Sequence, residues 1–418
     1  MMKVMEFPVE VQRSPDSIRE MDGEFLLPVY PRYGVVLDHG QGPYLYDAEG
    51  HRYLDLMTGL GVNVLGHAHP RLVEVYREQA GLLVHISNHY ANRYSAELAE
   101  KLCSLSGMGG AFFSTAGTEA VEGAIKLARI VGRAGYGARK HGLVALEGGY
   151  HGRTMGALSV TGQLKYREDF EPGIPGVRFA MRNDLESLRN AVSDETCAIL
   201  LEPLMGEGGV RECSREFIAE ARRLADAHNA LLIFDEIQTG LGRTGRWFAF
   251  ESCGVKPDVV VVGKALGGGL PLSAILVRRD LRDAFGPGKH GSTLGGGPLA
   301  CRLGLEVISV IEDEGLLSRV ECSGAVLAAG LRGMAAELEI AGEARGCGML
   351  QGLDLGIAAR PVVEAGLGAG LMLNAVQGNV LRFLPPYILT DSQIEFAVAA
   401  VRALLTQAQV DSRISLAD

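Results

Sequence analysis

Two short uninterrupted apolar runs, Leu231-Leu232-Ile233-Phe234 and Val259-Val260-Val261-Val262, constrain this chain more than any other feature. Apolar runs without alternation suit strands covered on both faces, as in a parallel sheet flanked by helices. The first run ends on Asp235 and the second on Gly263-Lys264. Open α/β sheets bind their ligands just beyond the carboxyl ends of such strands. The pattern therefore sets a carboxylate and an amine at neighbouring strand tips, above one crevice.

An acid and a lysine so placed make a plain buried ion pair as readily as a reactive one. The reactive chemistry that needs both is that of pyridoxal phosphate (PLP). There a lysine forms a Schiff base with the cofactor, and an acid keeps the pyridine nitrogen protonated so that the ring acts as an electron sink. Desolvation lowers a lysine's pKa and makes its amine nucleophilic. The glycines after Lys264, at Gly267-Gly268-Gly269, allow close backbone packing there.

The text FDEIQTGLGRTG followed by GKALGGGLPLSA resembles the class III aminotransferases of fold type I, with the acetylornithine and ornithine aminotransferases as the nearest subgroup. The resemblance runs from Tyr44-Leu45-Tyr46-Asp47 to Arg382-Phe383-Leu384-Pro385. It implies an α/β fold: a large PLP-binding domain with a mostly parallel central sheet over 61–298, and a smaller α+β domain built from N-terminal residues 1–60 and C-terminal residues 299–418. It also implies that Lys264 is the Schiff-base lysine and that Asp235 meets the pyridine nitrogen. Glu236, Ile237 and Gln238 follow beside the cofactor, with Gln238 near its 3-hydroxyl.

Composition bounds the alternatives. The 418 residues are 47% hydrophobic, ample for a large core and for the two domains expected of a chain this long. The net charge of −10 comes without any basic run, so nucleic acid is not an expected partner. No apolar stretch approaches the roughly 20 residues of a membrane span. The N-terminal text MMKVMEFPVEVQRSPDSIRE lacks the apolar core of a signal peptide. Seven cysteines lie scattered with no CxxC pair, which reads as free thiols in a reducing cytoplasm. His67 and His69 stand close together, but no cysteine or carboxylate cluster accompanies them, and no metal is expected.

Taken in order, residues 1 to about 25 suggest a helix or an arm. Strand candidates are Gly42–Asp47, Arg52–Leu56, Gly142–Glu147, Cys197–Pro203, Gly346–Leu355, Leu371–Ala375 and Asn379–Leu384. Helical periodicity marks Arg71–Leu83, Ala96–Leu105, Ser214–His228 and a closing helix over Asp391–Leu405, with Asp391 or Ser392 as its cap. Strands and helices alternate from about 111 to 277, the mark of a doubly wound or related parallel-rich sheet. A short strand also enters the turn Ser114-Thr115-Ala116-Gly117-Thr118, from which a helix continues. Helix starts offer unpaired N–H groups and the positive end of a dipole, a natural seat for phosphate.

The resemblance assigns the remaining site residues. Gly117 and Thr118 would receive the cofactor phosphate, although Ala116 stands where the family often has Ser. Tyr150 would stack on the pyridine ring in place of the usual Phe. Arg153 would receive a substrate carboxylate, for which the planar guanidinium is suited. Glu207, among Gly206, Gly208 and Gly209, would pair with Arg382, which receives a carboxylate of the amino acceptor. Thr293 would bind the phosphate in the partner subunit of a homodimer, with Ser292 beside it at the substrate. Gly297 stands where the family often has Asn.

The expected reaction moves the terminal amine of N2-acetylornithine, or of a related ω-amino acid, to 2-oxoglutarate, giving a semialdehyde and glutamate. Ornithine, succinyl-diaminopimelate, 4-aminobutyrate and carrier-linked lysine are alternative donors on similar backbones. A PLP aminomutase is the alternative enzyme. A non-catalytic nucleotide-binding protein is the third reading, and the GxGxxG it needs is not evident at the first strand–turn–helix.

Overall fold

The computed structural model describes residues 13–415, with side chains as far as residue 410; the first twelve residues of the expected N-terminal arm lie outside it. Its centre is a seven-stranded sheet: β1 (Gly110–Ser114), β2 (Gly142–Leu146), β3 (Val177–Ala180), β4 (Thr196–Leu201), β5 (Leu231–Asp235), β6 (Val259–Val262) and β7 (Ser273–Val277). In space the order is β1-β7-β6-β5-β4-β2-β3. All pairings are parallel except those of β7, which runs against both neighbours.

The uninterrupted apolar runs have a direct physical cause. Successive side chains of a strand point to opposite faces, and both faces here are covered. Leu232, Phe234, Val260 and Val262 join one core with Phe217, Ile218, Ala221 and Leu224 of the helix Arg215–Ala227. Leu231, Ile233, Val259 and Val261 join the other, with Val121, Ala124, Ile125 and Ala128 of the helix Gly117–Tyr136. An alternating strand would have put polar groups into one of these cores.

A second sheet pairs Ala341–Cys347, Leu350–Leu355, Val380–Phe383 and Asn374–Val376 in that order. The single strand expected over Gly346–Leu355 is thus a hairpin that turns at Gly348, where φ is +55°. Leu371–Ala375 also divides. Leu371–Met372 lies parallel to Arg52–Asp55, while Asn374–Val376 pairs with the strand carrying Arg382. An apolar strand pattern reports burial, not which sheet a strand joins, so the text alone did not reveal the split. Through Leu371–Met372 the C-terminal chain joins the N-terminal strands Leu37–Gln41, Tyr44–Asp47 and Arg52–Asp55.

Helix Pro298–Asp313 packs on Pro70–Ala80 and Arg93–Ser106, so a division at 298/299 falls at the start of a helix held by its neighbours. The closing helix begins at Asp391, as expected, but its cap is Thr390 instead of Asp391 or Ser392. Thr390 Oγ1 accepts from the N–H of Gln393, and Gln393 Oε1 accepts from the N–H of Thr390, a reciprocal capping box. His67 Nε2 bonds Asp55 at 2.8 Å and His69 faces Glu314, so both loop histidines have structural partners. No helix among the described residues is long and apolar enough to cross a membrane.

Arg243, in the GLGRTG segment after β5, bonds the carbonyls of Met349 and Pro385 and stacks on Tyr387. It ties the loop beyond β5 to the C-terminal part of the chain. Close by, the helix Leu316–Glu337 meets the hairpin turn backbone to backbone. A Cβ on Gly324 would come within 2.4 Å of Gly348 O. Gly324→Ala is therefore expected to cost about 1–3 kcal/mol, seen as a lower urea midpoint. An unaltered midpoint would mean that this contact is not tight.

Candidate active site

The carboxyl ends of β4, β5 and β6 and the start of the helix Gly117–Tyr136 face one edge of the sheet. Lys264 follows β6 in a short 3₁₀ turn, with Leu266 N–H bonded to Gly263 O. Its φ of +45° is in the left-handed region, uncommon for a residue with a Cβ and characteristic of strained functional positions. The amine is pushed down to about 8, first by burial and then by Arg382, against the pull of Glu207, Glu202 and Asp235. An amine so placed holds an appreciable uncharged, nucleophilic fraction near neutrality.

Asp235 is buried at the tip of β5. Its Oδ1 accepts from the N–H of Ile237 at 3.0 Å, and its Oδ2 bonds His151 Nδ1 at 2.7 Å. Burial works against the charged form of His151, but the hydrogen bond and charge of Asp235, with Glu202 behind them, raise its pKa on balance. Ile237 packs against Gly117, where a Cβ would approach it to 2.7 Å. The Glu236 side chain turns to the loop after β5. Both carboxylate oxygens are taken by Thr239 Oγ1 and by the N–H groups of Ala249 and Phe250, so the side chain serves the loop after β5.

Arg382 is 1% exposed. Its Nη1 bonds Glu207 Oε1 at 2.6 Å and Gln238 Oε1 at 3.2 Å, while its Nε and Nη2 bond Asn374 Oδ1. The carboxyl group of Glu207 is held below its ordinary range. Burial opposes this, and the charges of Arg382 and Lys264 outweigh it. Gly206 is a glycine because Gln238 passes it: a Cβ there would stand 1.7 Å from Gln238 Oε1. Gln377 Nε2 also bonds Gln163 Oε1 and the backbone carbonyl of Glu207, pinning the glutamate's loop from the other side.

At the helix start, Ala116 occupies the N-cap position and its side chain offers no acceptor to the first N–H groups. Thr118 Oγ1 bonds Thr154 Oγ1 at 2.7 Å. Ser273 Oγ holds Ala116 O and Ser114 Oγ, anchoring the turn. Tyr150 has its N–H on Glu202 Oε1, and its ring meets Tyr166 edge-on. Arg153 is exposed, and its guanidinium lies 4.0 Å from the centroid of the Tyr166 ring.

Ser292 and Thr293 bond none of the Lys264 cluster within the chain. They line a cavity of about 360 Å³ with Thr115, Glu119 and Glu122. Gly297 caps the helix Pro298–Asp313 without a side-chain hydrogen bond. Sequence reasoning did not single out His151, Glu202, Asn374, Tyr166 and Gln377 as site residues. Glu202 alone had a usable signal: it ends an apolar run, as Asp235 does.

A buried amine, a carboxylate braced by an imidazole, an uncapped helix N-terminus and an arginine–carboxylate pair converge on one cleft. This donor set fits PLP: amine for its aldehyde, carboxylate for its ring nitrogen, N–H groups for its phosphate. Comparison with known proteins places the site in a family. Residues 29–405 match the family described as Aminotransferase class-III. The chain is 41% identical over 385 residues to an acetylornithine aminotransferase of Caldanaerobacter subterraneus subsp. tengcongensis, covering 92% of this chain and 98% of that one. It is 42% identical over 382 residues to one of Aquifex aeolicus, covering 91% of this chain and 100% of that one. Among solved structures, the ornithine aminotransferase of Toxoplasma gondii superposes with a TM-score of 0.92 at 30% identity over 96% of both chains, and PLP partly occupies its active site. The chain belongs to the class III aminotransferases, of fold type I, and its cofactor is PLP.

The depressed amine has a consequence for stability. Unfolded, Lys264 has an ordinary pKa of 10.5; folded without cofactor, it is near 8. Below pH 8 the buried charge opposes folding in full. Between 8 and 10.5 the unfolded chain binds more protons, so stability rises with pH, and above 10.5 the penalty is gone. Cofactor-free Lys264→Met should therefore withstand more urea than cofactor-free wild type at pH 7. Its advantage should shrink as pH rises to 10.5. A variant no more stable than wild type at pH 7 contradicts this.

Proposed function

We propose that this chain moves the terminal amine of N2-acetylornithine to 2-oxoglutarate, forming a semialdehyde and glutamate, as a homodimer in the cytoplasm. The observation that carries the transaminase reading is the closed pair of Glu207 and Arg382 beside Lys264. Support for the donor comes from the relatives named above as acetylornithine aminotransferases. The strong structural likeness to an ornithine aminotransferase keeps ornithine as the second candidate.

When bound, PLP supplies an electron sink that acidifies the C–H bond beside the donor nitrogen. The Lys264 amine holds the cofactor, takes the proton from that carbon and later returns one. Asp235, braced by His151, would retain the proton on the ring nitrogen. The N–H groups at Gly117 and Thr118 receive the phosphate, aided by the helix dipole. Tyr150, Ile237 and Gln238 border the ring, and Arg153 takes the donor's distant carboxylate so that the amine arrives in register.

With a donor bound by its terminal amine, Glu207 covers Arg382 and keeps a bare guanidinium from repelling the incoming ammonium. With 2-oxoglutarate, a substrate carboxylate takes the place of Glu207. Assaying these donors in turn with 2-oxoglutarate tests the assignment. Acetylornithine should give the highest kcat/KM, and a higher value for ornithine, succinyl-diaminopimelate or 4-aminobutyrate would overturn it. Glu207→Ala should raise the rate with glutamate relative to acetylornithine by about tenfold, since the open arginine then favours an α-carboxylate. Equal slowing of both half-reactions contradicts the switch.

The dimer is proposed because Thr293 lies away from the Lys264 cluster of its own chain. Around it the surface is apolar: Leu82, Val84, Tyr90 and Leu294 are more than half exposed, and Asn88 bonds the carbonyls of Ser292 and Gly295. Such a patch marks an interface, and two-fold closure makes two equivalent sites, each completed by the other chain's Ser292 and Thr293. A sedimenting monomer with full activity would exclude it. The cytoplasm is proposed because all seven cysteines are unpaired.

A further inference from the structure

Strand β4 hands its chain to Glu202 on the sheet edge that also carries Asp235 and Lys264. Glu202 is buried, and no ion pair holds it among the described residues. Its Oε1 accepts the N–H of Tyr150 at 2.9 Å, and its Oε2 accepts the N–H of Gly206 at 3.2 Å. The first bond fixes the aromatic proposed to lie on the cofactor ring. The second fixes the residue just before Glu207.

His151 stands beside this carboxyl group. Its Nδ1 is committed to Asp235, whereas its Nε2 is buried without a partner. Nε2 and Glu202 Oε1 border one small space with the Leu146 carbonyl: a Cβ built on Gly149 would lie 3.0 Å from Leu146 O, 3.4 Å from Nε2 and 3.8 Å from Oε1. Glycine at 149 keeps that space clear. The titratable groups around Glu202 are His151 from the loop after β2, Asp235 from β5, Lys264 from the turn after β6, and Cys213, whose thiol donates to Glu202 O. Burial pushes the carboxyl group up, His151 pulls it down and Asp235 pushes it further up. The unpartnered His151 Nε2 thus stands beside a carboxyl group whose charged form burial disfavours.

We propose that Glu202 is a positioning residue for the reaction: one buried carboxyl group sets the Tyr150 backbone, the Gly206 backbone before Glu207 and the surroundings of His151 behind Asp235. This rests on the roles given above to Tyr150, Asp235 and Glu207. Glutamine at this position has one acceptor oxygen where glutamate has two, so one N–H loses its partner, and it cannot exchange a proton with His151.

The test compares wild-type and Glu202→Gln holoenzyme in four measurements: thermal unfolding, PLP dissociation constant, pH midpoint of the bound cofactor's visible absorbance, and the two half-reactions taken separately. The variant is expected to unfold within about 3 °C of wild type. Its absorbance midpoint should move by about one pH unit. PLP should bind about tenfold more weakly, and the two half-reactions should slow unequally. A lower unfolding temperature with the same midpoint and the same ratio of half-reactions means a merely structural role and overturns the proposal.

Should Glu202→Gln not fold, Gly149→Ala decides, because its Cβ enters the space bordered by His151 Nε2 and Glu202 Oε1 without changing the chemistry of either side chain. A folded Gly149→Ala with an unmoved midpoint overturns the proposal, and a moved midpoint sustains it. Wild-type protein that takes up PLP but processes no donor would sink the functional reading instead. An active wild type with an unaltered variant sinks only the role of Glu202.

Discussion

Arg382 carries a charge it cannot lose, in a cleft where almost none of its surface meets water. Leaving such a group unpaired costs several kcal/mol, so its surroundings are arranged to satisfy it. Asn374 takes two of its nitrogens, and Gln238 and Glu207 share the third. Its field also lowers the pKa of the Lys264 amine and holds Glu207 anionic. Under the proposed mechanism, Glu207 leaves only when another carboxylate arrives, which couples the position of one loop to the charge of the substrate.

The sheet makes this arrangement possible. Because β5 and β6 are parallel neighbours, Asp235 and Lys264 emerge on one edge. Because β4 lies next to β5 on its other side, Glu202 emerges there too. Three ionisable groups thus come from three adjacent strand ends, and His151 joins them from the loop beyond β2. The helix Gly117–Tyr136 starts at the same edge with its first N–H groups uncapped by Ala116. The left-handed backbone at Lys264 stores strain where the chain reverses into the cleft. Arg382 reaches the cleft from the second sheet, whose placement is reinforced by Arg243 across the loop beyond β5.

Much of this was legible in the residues. Unbroken apolar runs named β4, β5 and β6 because both faces of each are covered, and the residues that end the last two named Asp235 and Lys264; β3, which carries the exposed Arg178, has no such run. The resemblance supplied Glu207 and Arg382 as a pair, and they meet at 2.6 Å. The errors fell where local text is ambiguous. Gly346–Leu355 and Leu371–Ala375 each divided between two strands, and the closing helix was capped by Thr390.

By itself, then, the sequence determined the buried strands of the sheet centre and the carboxylate and amine at their tips, and the resemblance named the chemistry that pair serves. Those are properties of short stretches, readable from side-chain pattern. Only the tertiary structure decided that His151 braces Asp235, that Asn374 and Gln238 share Arg382, that Glu202 holds both Tyr150 and Gly206, and that Glu236 serves the loop after β5. Each of these contacts joins segments brought together by sheet order or loop packing, and a buried polar atom takes whichever partner the fold sets beside it.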